Sequence, residues 1–228
     1  MQEVCSCYLQ AQRLWREEGI HTVCVDEKTG IQALERQAPT KPMKPGLVER
    51  PEFEYKRHGT QCLMANFEVA TGEVIAPTVQ ETRDEQDFAD HIERTVALDP
   101  KAGWIFVSDN LTTHCSETLV LLVALWCGIA QELLGKKGKS GVLKSVASRK
   151  TFLTDLSHRI RFVFVPKHTS WMNQVEIWFS ILVRRVIRRG NFTSKEDLRD
   201  KILRFIDYFN KTLAKPFKWT YTGRPLNV

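Results

Sequence analysis

Three acidic residues stand where carboxylates can do metal-assisted chemistry. Asp26 follows an alternating, valine-rich run (21–25), and Asp109 follows a continuous apolar run (103–108). Both runs have the length and composition of strands. The carboxyl ends of neighbouring parallel strands are a natural place for a site. Such strands lie about 4.8 Å apart, so two carboxylates at matching levels could share one metal ion. Glu176 stands in the string Trp-Met-Asn-Gln-Val-Glu-Ile-Trp-Phe (171–179), early in a segment of helical spacing. Val175, Phe179, Leu182 and Val186 form one apolar stripe there, while Asn173, Glu176 and Ser180 share a different face. Three such acids suit phosphodiester cleavage. That reaction needs an activated water and a stabilised leaving oxygen, and two Mg²⁺ ions roughly 3.5–4 Å apart supply both. Mg²⁺ takes oxygen ligands and keeps several waters, so a few carboxylates suffice. Taken singly, each acid also fits a plainer role. An Asp after a strand forms turns or caps helices, and a Glu on a helix is ordinarily solvated.

The elements that must position these acids follow from pattern. Residues 10–18 read as a short helix in a lead-in segment (1–20), and 21–25 as a strand ending at Asp26. Pro39, Pro42, Pro45 and Pro51, with Gly46, imply a long surface loop over 36–51. Runs 60–70 and 73–80, joined by Thr71-Gly72, form a hairpin. Helical spacing over 84–98 places Phe88, Ile92 and Val96 on one face. The run 103–108 suits a buried parallel strand, and 117–126 a helix packed on the sheet. After a glycine- and lysine-rich stretch come a strand over 161–165, a helix from an N-cap at Ser170 to Arg189, and a last helix from Ser194 to about Asn210. Antiparallel strands first and α/β units afterwards predict a mixed five-stranded sheet flanked by helices. An RNase H-like fold has this order.

Composition is that of an ordinary soluble domain, 43% hydrophobic and 26% charged, and 228 residues fit one domain with extensions. The formal net charge of +6 points to an acidic partner such as nucleic acid or an anionic membrane. The longest apolar run (119–126) is far short of the roughly 20 residues that cross a membrane. Residues 1–10 lack the pattern of a signal peptide, so a cytoplasmic location without membrane contact is expected. Six scattered cysteines, with one lone C-x-C at Cys5 and Cys7, read as reduced thiols.

The strings around the acids carry more. Val-Asp-Glu-Lys-Thr-Gly-Ile-Gln (25–32), Tyr-Lys-Arg-His-Gly-Thr (55–60), Val-Ser-Asp-Asn-Leu-Thr-Thr-His (107–114) and Pro-Lys-His-Thr-Ser-Trp-Met-Asn-Gln-Val-Glu-Ile-Trp-Phe (166–179) closely resemble the mariner-like transposases of bacterial insertion sequences. So do Arg-Arg-Gly-Asn-Phe (188–192) and Pro-Phe-Lys-Trp-Thr-Tyr-Thr-Gly (216–223), and the motifs keep the family's order over about 22–223. The resemblance implies an RNase H-like catalytic domain (21–223, with a tail at 224–228) in which Asp26, Asp109 and Glu176 bind Mg²⁺, or Mn²⁺ in its place. Asp26 would bridge both ions, with one each on Asp109 and Glu176. It implies cleavage of DNA at the element's ends, strand transfer into target DNA, and a homodimer on DNA. Asn110, His114, His168 and Asn173 fall within the motifs and are expected to orient water, phosphate or the three acids.

The chain departs from this family in two ways. Asp109 and Glu176 are 67 positions apart, about twice the usual spacing, with the extra length at 128–158. Asp155 in this insert is a rival third acid, without the Asn-Gln-x-Glu setting. Moreover, only about 20 residues precede the first strand, so the family's helix-turn-helix reader of transposon ends is not expected within this sequence. Two basic concentrations are expected to contact DNA phosphates: Lys136, Lys137, Lys139, Lys144, Arg149 and Lys150, in a segment read as mobile and exposed, and Arg184, Arg185, Arg188 and Arg189 on the helix after Glu176. Another RNase H-like nuclease, or a DNA-binding remnant regulating a full transposase, are the alternatives.

Overall fold

The computed structural model describes residues 1–50 and 52–224; Pro51 and most of the tail expected at 224–228 lie outside the described residues. Its centre is one mixed sheet of five strands, β1 (Ile20–Arg36), β2 (Tyr55–Glu68), β3 (Val74–Gln80), β4 (Gly103–Ser108) and β5 (Ile160–Phe164), in the order β3-β2-β1-β4-β5. β1, β2 and β3 pair antiparallel, while β4 runs parallel to β1 and β5 to β4. This order and polarity are RNase H-like. Alternation along each strand sorts side chains onto two faces. Cys24, Leu63, Phe67, Ile105, Val107 and Val163 enter one core. Val23, Val25, Met64, Trp104, Phe106 and Phe162 enter the other.

Helices cover both faces. On the second lie α2 (Glu85–Val96), α3 (Glu117–Trp126) and α4 (Val146–Leu153), through Phe88, Ile92, Leu119, Val123 and Leu153. Asp84 caps α2 with a reciprocal bond to Asp87, which fixes its start. On the first face lie α1 (Gln2–Arg13), α5 (Gln174–Leu182) and α6 (Lys195–Thr212). The opening segment is thus more than a lead-in: α1 buries Val4, Cys5, Tyr8 and Ala11 against the sheet, and Tyr8 Oη donates to Met172 O at 2.8 Å. The six cysteines are free thiols, all but the half-buried Cys127 fully buried.

Several boundaries differ from the sequence reading. β1 does not end at Asp26 but continues to Arg36, because β2 pairs along its whole length, with bulges between Lys28 and Ile31 and between Gln32 and Leu34. The proline-bearing loop holds two antiparallel bridges, Lys41 with Arg50 and Lys44 with Leu47. α5 begins at Asn173 rather than Ser170, after a separate 3₁₀ turn (Ser170–Met172), and gives way to a π-helical turn (Val183–Ile187).

The largest correction concerns the insert, which is folded. Leu134, Leu143 and Leu153 are buried in the second core, and Ser145 and Ser148 form a capping box at the start of α4. Two of its glycines combine a left-handed backbone with close packing: a Cβ at Gly135 (φ +84°) would lie 2.3 Å from Ser140 O, and one at Gly141 (φ +65°) 2.6 Å from Leu134 O. Three leucines spaced along a polar run are enough to anchor it, a signal that the lysine and glycine count hides.

Candidate active site

The β1–β4 ladder pairs Val23 with Phe106 and Cys24 with Val107. Continuing that register two residues sets Asp26 level with Asp109 on the neighbouring strand. By alternation Asp26 shares a face with Cys24, the face that α5 covers, while Asp109 lies just past the end of β4. Glu176 lies in the first turn of that helix. The N-cap of α5, Asn173, is fully buried, and its Nδ2 donates to Val25 O at 3.0 Å and to Asp26 Oδ2 at 3.2 Å. One amide therefore fastens the start of the Glu176 helix to the strand that carries Asp26. Asn173 does not cap its own helix with its side chain, because that side chain is used on Asp26.

Asp26 is 7% exposed, and Glu27 N donates to its Oδ1 at 2.8 Å. Burial pushes its carboxyl up to about 7; Asp109 and Glu27 push the same way, and the Glu27 amide and His114 oppose them. No Lys, Arg or His pairs with Asp26 within 4.0 Å among the described residues. Asp109 lies just past β4 and is better served. His114 Nδ1 donates to its Oδ1 at 2.7 Å and Leu111 N to the same oxygen at 2.9 Å. Against the effect of burial, these hold its carboxyl below the usual aspartate range.

His114 is fully buried beneath this pair, its ring centroid 4.0 Å from that of Phe88 and tilted by 32°. Its Nε2 donates to Glu27 Oε2 at 3.1 Å, and Ser108 Oγ lies 2.8 Å from Nδ1. Burial alone would strip its proton, but the bonds to Asp109 and Glu27 hold it, raising its pKa to about 9. Glu27, whose side chain is 4% exposed, is the residue sequence reasoning missed. Its signal was adjacency: the residue after Asp26 on a strand points to the opposite face, where only a paired charge survives burial.

The remaining expected residues are distributed unevenly. Asn110 donates from Nδ2 to Val165 O and accepts from Lys150 Nζ at Oδ1, so its amide is occupied at both ends. Exposed His168 adopts φ +64°, a left-handed backbone uncommon outside glycine, on the rim of a cavity of about 310 Å³ shared with Asp109, Asn110, Lys167 and Ser170. Arg149 is half-buried, and its Nε donates to Cys115 O at 2.7 Å. Lys136, Lys139 and Lys144 are exposed, and Lys137 pairs with Glu117 at 3.0 Å. Arg184 and Arg185 border a groove floored by Phe209 and Phe217, and Arg188 a trough with Lys28 and Arg36. Arg189 reaches Glu49 at 3.6 Å.

Asp155 is far from all of this. It precedes β5, whose other end pairs beside Asp109, and the strand's five residues span about 16 Å. Its exposed carboxylate accepts from Ser157 N and Oγ. Among the described residues no group of three or more His, Cys, Asp and Glu side chains stands close enough to hold a metal ion by itself. Asp26 and Asp109 approach each other, and Glu176 waits half-exposed on its helix.

No curated protein sequence matches the chain. Among solved structures, a Mos1 transposase paired-end complex with the left transposon end is similar with TM-score 0.36 and 15% identity, over 92% of this chain and 59% of that one. A Mos1 strand transfer complex gives 0.36 and 16%, over 96% and 61%. The Mos1 transposase catalytic domain with raltegravir and Mn gives 0.33 and 13%, over 96% and 94%. The chain thus spans about three fifths of the transposase chains in the two DNA-end complexes. The family model described as DDE superfamily endonuclease matches residues 21–199, most of the chain, and the protein belongs to that family.

Proposed function

We propose that this chain is the catalytic domain of a mariner-like DNA transposase that cleaves transposon-end DNA and joins the freed strand to target DNA. One arrangement carries the reading: the β1–β4 register leads to Asp26 on one strand and to Asp109 just past the end of its parallel neighbour, and Asn173 fastens the helix of Glu176 to Asp26. The donor set fits Mg²⁺ or Mn²⁺. It offers carboxylate oxygens, one of them on a buried Asp26 with no cation partner among the described residues, and no thiolate. Asp26, Asp109 and Glu176 would hold the ions, which when bound activate the attacking oxygen and stabilise the leaving one. His114 keeps Asp109 in one orientation and balances Glu27 beneath it. Asn173 does the same for Asp26. Lys136, Lys139, Lys144 and the exposed arginines of 184–189 would meet DNA phosphates. A homodimer on DNA is part of the same reading, and light scattering of the protein–DNA complex would test it.

The deciding experiment incubates the protein with duplexes bearing the element's own ends, in Mg²⁺ and in chelator, and follows cleavage and strand joining separately. Cleavage with joining, lost in Asp109→Asn, supports a transposase. Hydrolysis without joining supports another nuclease of the same fold. Binding without either is the outcome for a regulatory remnant.

A further inference from the structure

We propose that Lys150, delivered by the insert, binds a phosphate of the DNA strand next to the scissile bond; this rests on the DNA-cleaving reading above. The insert is docked so that its cation reaches the site. Leu143 and Leu153 are buried, and Arg149 is bonded to Cys115 O at 2.7 Å and Leu143 O at 3.4 Å. The next residue, Lys150, is turned toward Asn110. Its ammonium bonds Asn110 Oδ1 and lies 4.7 Å from the centroid of the Phe164 ring. Asn110 is in turn anchored on Val165 O and adjoins Asp109.

Lys150 is half-buried yet has no carboxylate within 4.0 Å among the described residues. A partly buried cation fixed in place with no anion beside it is set to accept the charge of a ligand. Two of its three N–H groups remain beyond the Asn110 bond. The wall that Asn110 forms belongs to the cavity of about 310 Å³ where Asp109 faces Lys167, His168 and Ser170. The phosphodiester path of a DNA strand crossing Asp109, one negative charge per phosphate, would there meet Lys167 on the cavity wall and Lys150 behind Asn110. The extra spacing between Asp109 and Glu176 then has a purpose: it brings a phosphate-binding cation that the sheet itself does not supply.

The test uses the Asp109→Asn protein, so that DNA is bound and not cut, and a fluorescein-labelled 30-base-pair duplex in Mg²⁺ across a NaCl series. Lys150→Met keeps the stem on Phe164 and removes the charge. Affinity should fall about tenfold, the slope of log K against log salt should shrink by about 0.9, and Lys150→Arg should restore both. As a measurement free of variants, acetylation of Lys150 by an N-hydroxysuccinimide ester should be suppressed by the duplex, together with Lys167. An unchanged salt slope in Lys150→Met, or equal acetylation with and without DNA, overturns the proposal and leaves Lys150 a strut for Asn110. If the parent protein binds no duplex at any salt, the DNA-cleaving reading itself fails.

Discussion

Replacing Asn173 with alanine probes the joint on which the site depends. Its Nδ2 makes two buried bonds, to Val25 O and to Asp26 Oδ2. The bond to a neutral carbonyl is worth about 1 kcal/mol, and one to a charged group about 1.5–3 kcal/mol. Alanine also leaves Val25 O less well satisfied, while relieving a buried Asn173 Oδ1 that has no partner. A net loss of roughly 2–4 kcal/mol follows, which in a domain of this size lowers Tm by roughly 5–15 °C. Thermal melts of wild type, Asn173→Ala, Asp26→Asn and the double variant form a cycle. The two residues touch at 3.2 Å, so a coupling of about 1–3 kcal/mol is expected. Cleavage by Asn173→Ala should fall about a hundredfold even where it remains folded, because the Glu176 helix is no longer fastened. A coupling near zero with cleavage at the wild-type rate would refute the reasoning.

Other expectations follow from the same structure. His91 is fully buried, with Asn66 Nδ2 2.7 Å from its Nε2 and Thr78 Oγ1 3.0 Å from Nδ1, and burial holds its pKa down to about 3. The unfolded chain takes up that proton near pH 6.5, so the stability from neutral His91 is complete above 6.5 and is lost as pH falls toward 3. Urea melts at pH 6, 5 and 4 should show a loss of about 1.4 kcal/mol per pH unit that is absent in His91→Gln, and equal slopes would contradict this. Amides of α4 and of Leu143 should be protected from hydrogen exchange, and Leu143→Ala should release them; exchange at unfolded rates in the wild type would restore the mobile segment. Asp155→Asn should cleave within twofold of wild type, since its carboxylate serves only a surface turn; loss of activity would reopen the choice of third acid.

The sheet was largely legible because its signals are local. The run 103–108 is a strand with the expected limits, and so is the helix of 117–126, since a continuous apolar run and a serine cap leave little choice. What sequence could not show depended on partners distant in the chain. β1 extends past Asp26 only because β2 pairs with it, and α1 is a covering helix only because Tyr8 meets Met172. The level placement of Asp26 and Asp109 follows from strand register, which alternation suggests but pairing decides. The roles of Glu27, Arg149 and Lys150 were hidden more deeply. A lysine in a basic run carries no mark of facing Asn110, nor an arginine of binding a carbonyl.

The account stands most directly on Glu176, the half-exposed third acid on α5. The measurement is the single-turnover rate of Mg²⁺-dependent cleavage of the element's ends by Glu176→Gln, on protein shown by its melt to be folded. Removing the charge while keeping the shape should cost several kcal/mol of transition-state stabilisation, or at least about a thousandfold in rate. Cleavage by Glu176→Gln at close to the wild-type rate would contradict an Asp26, Asp109 and Glu176 site.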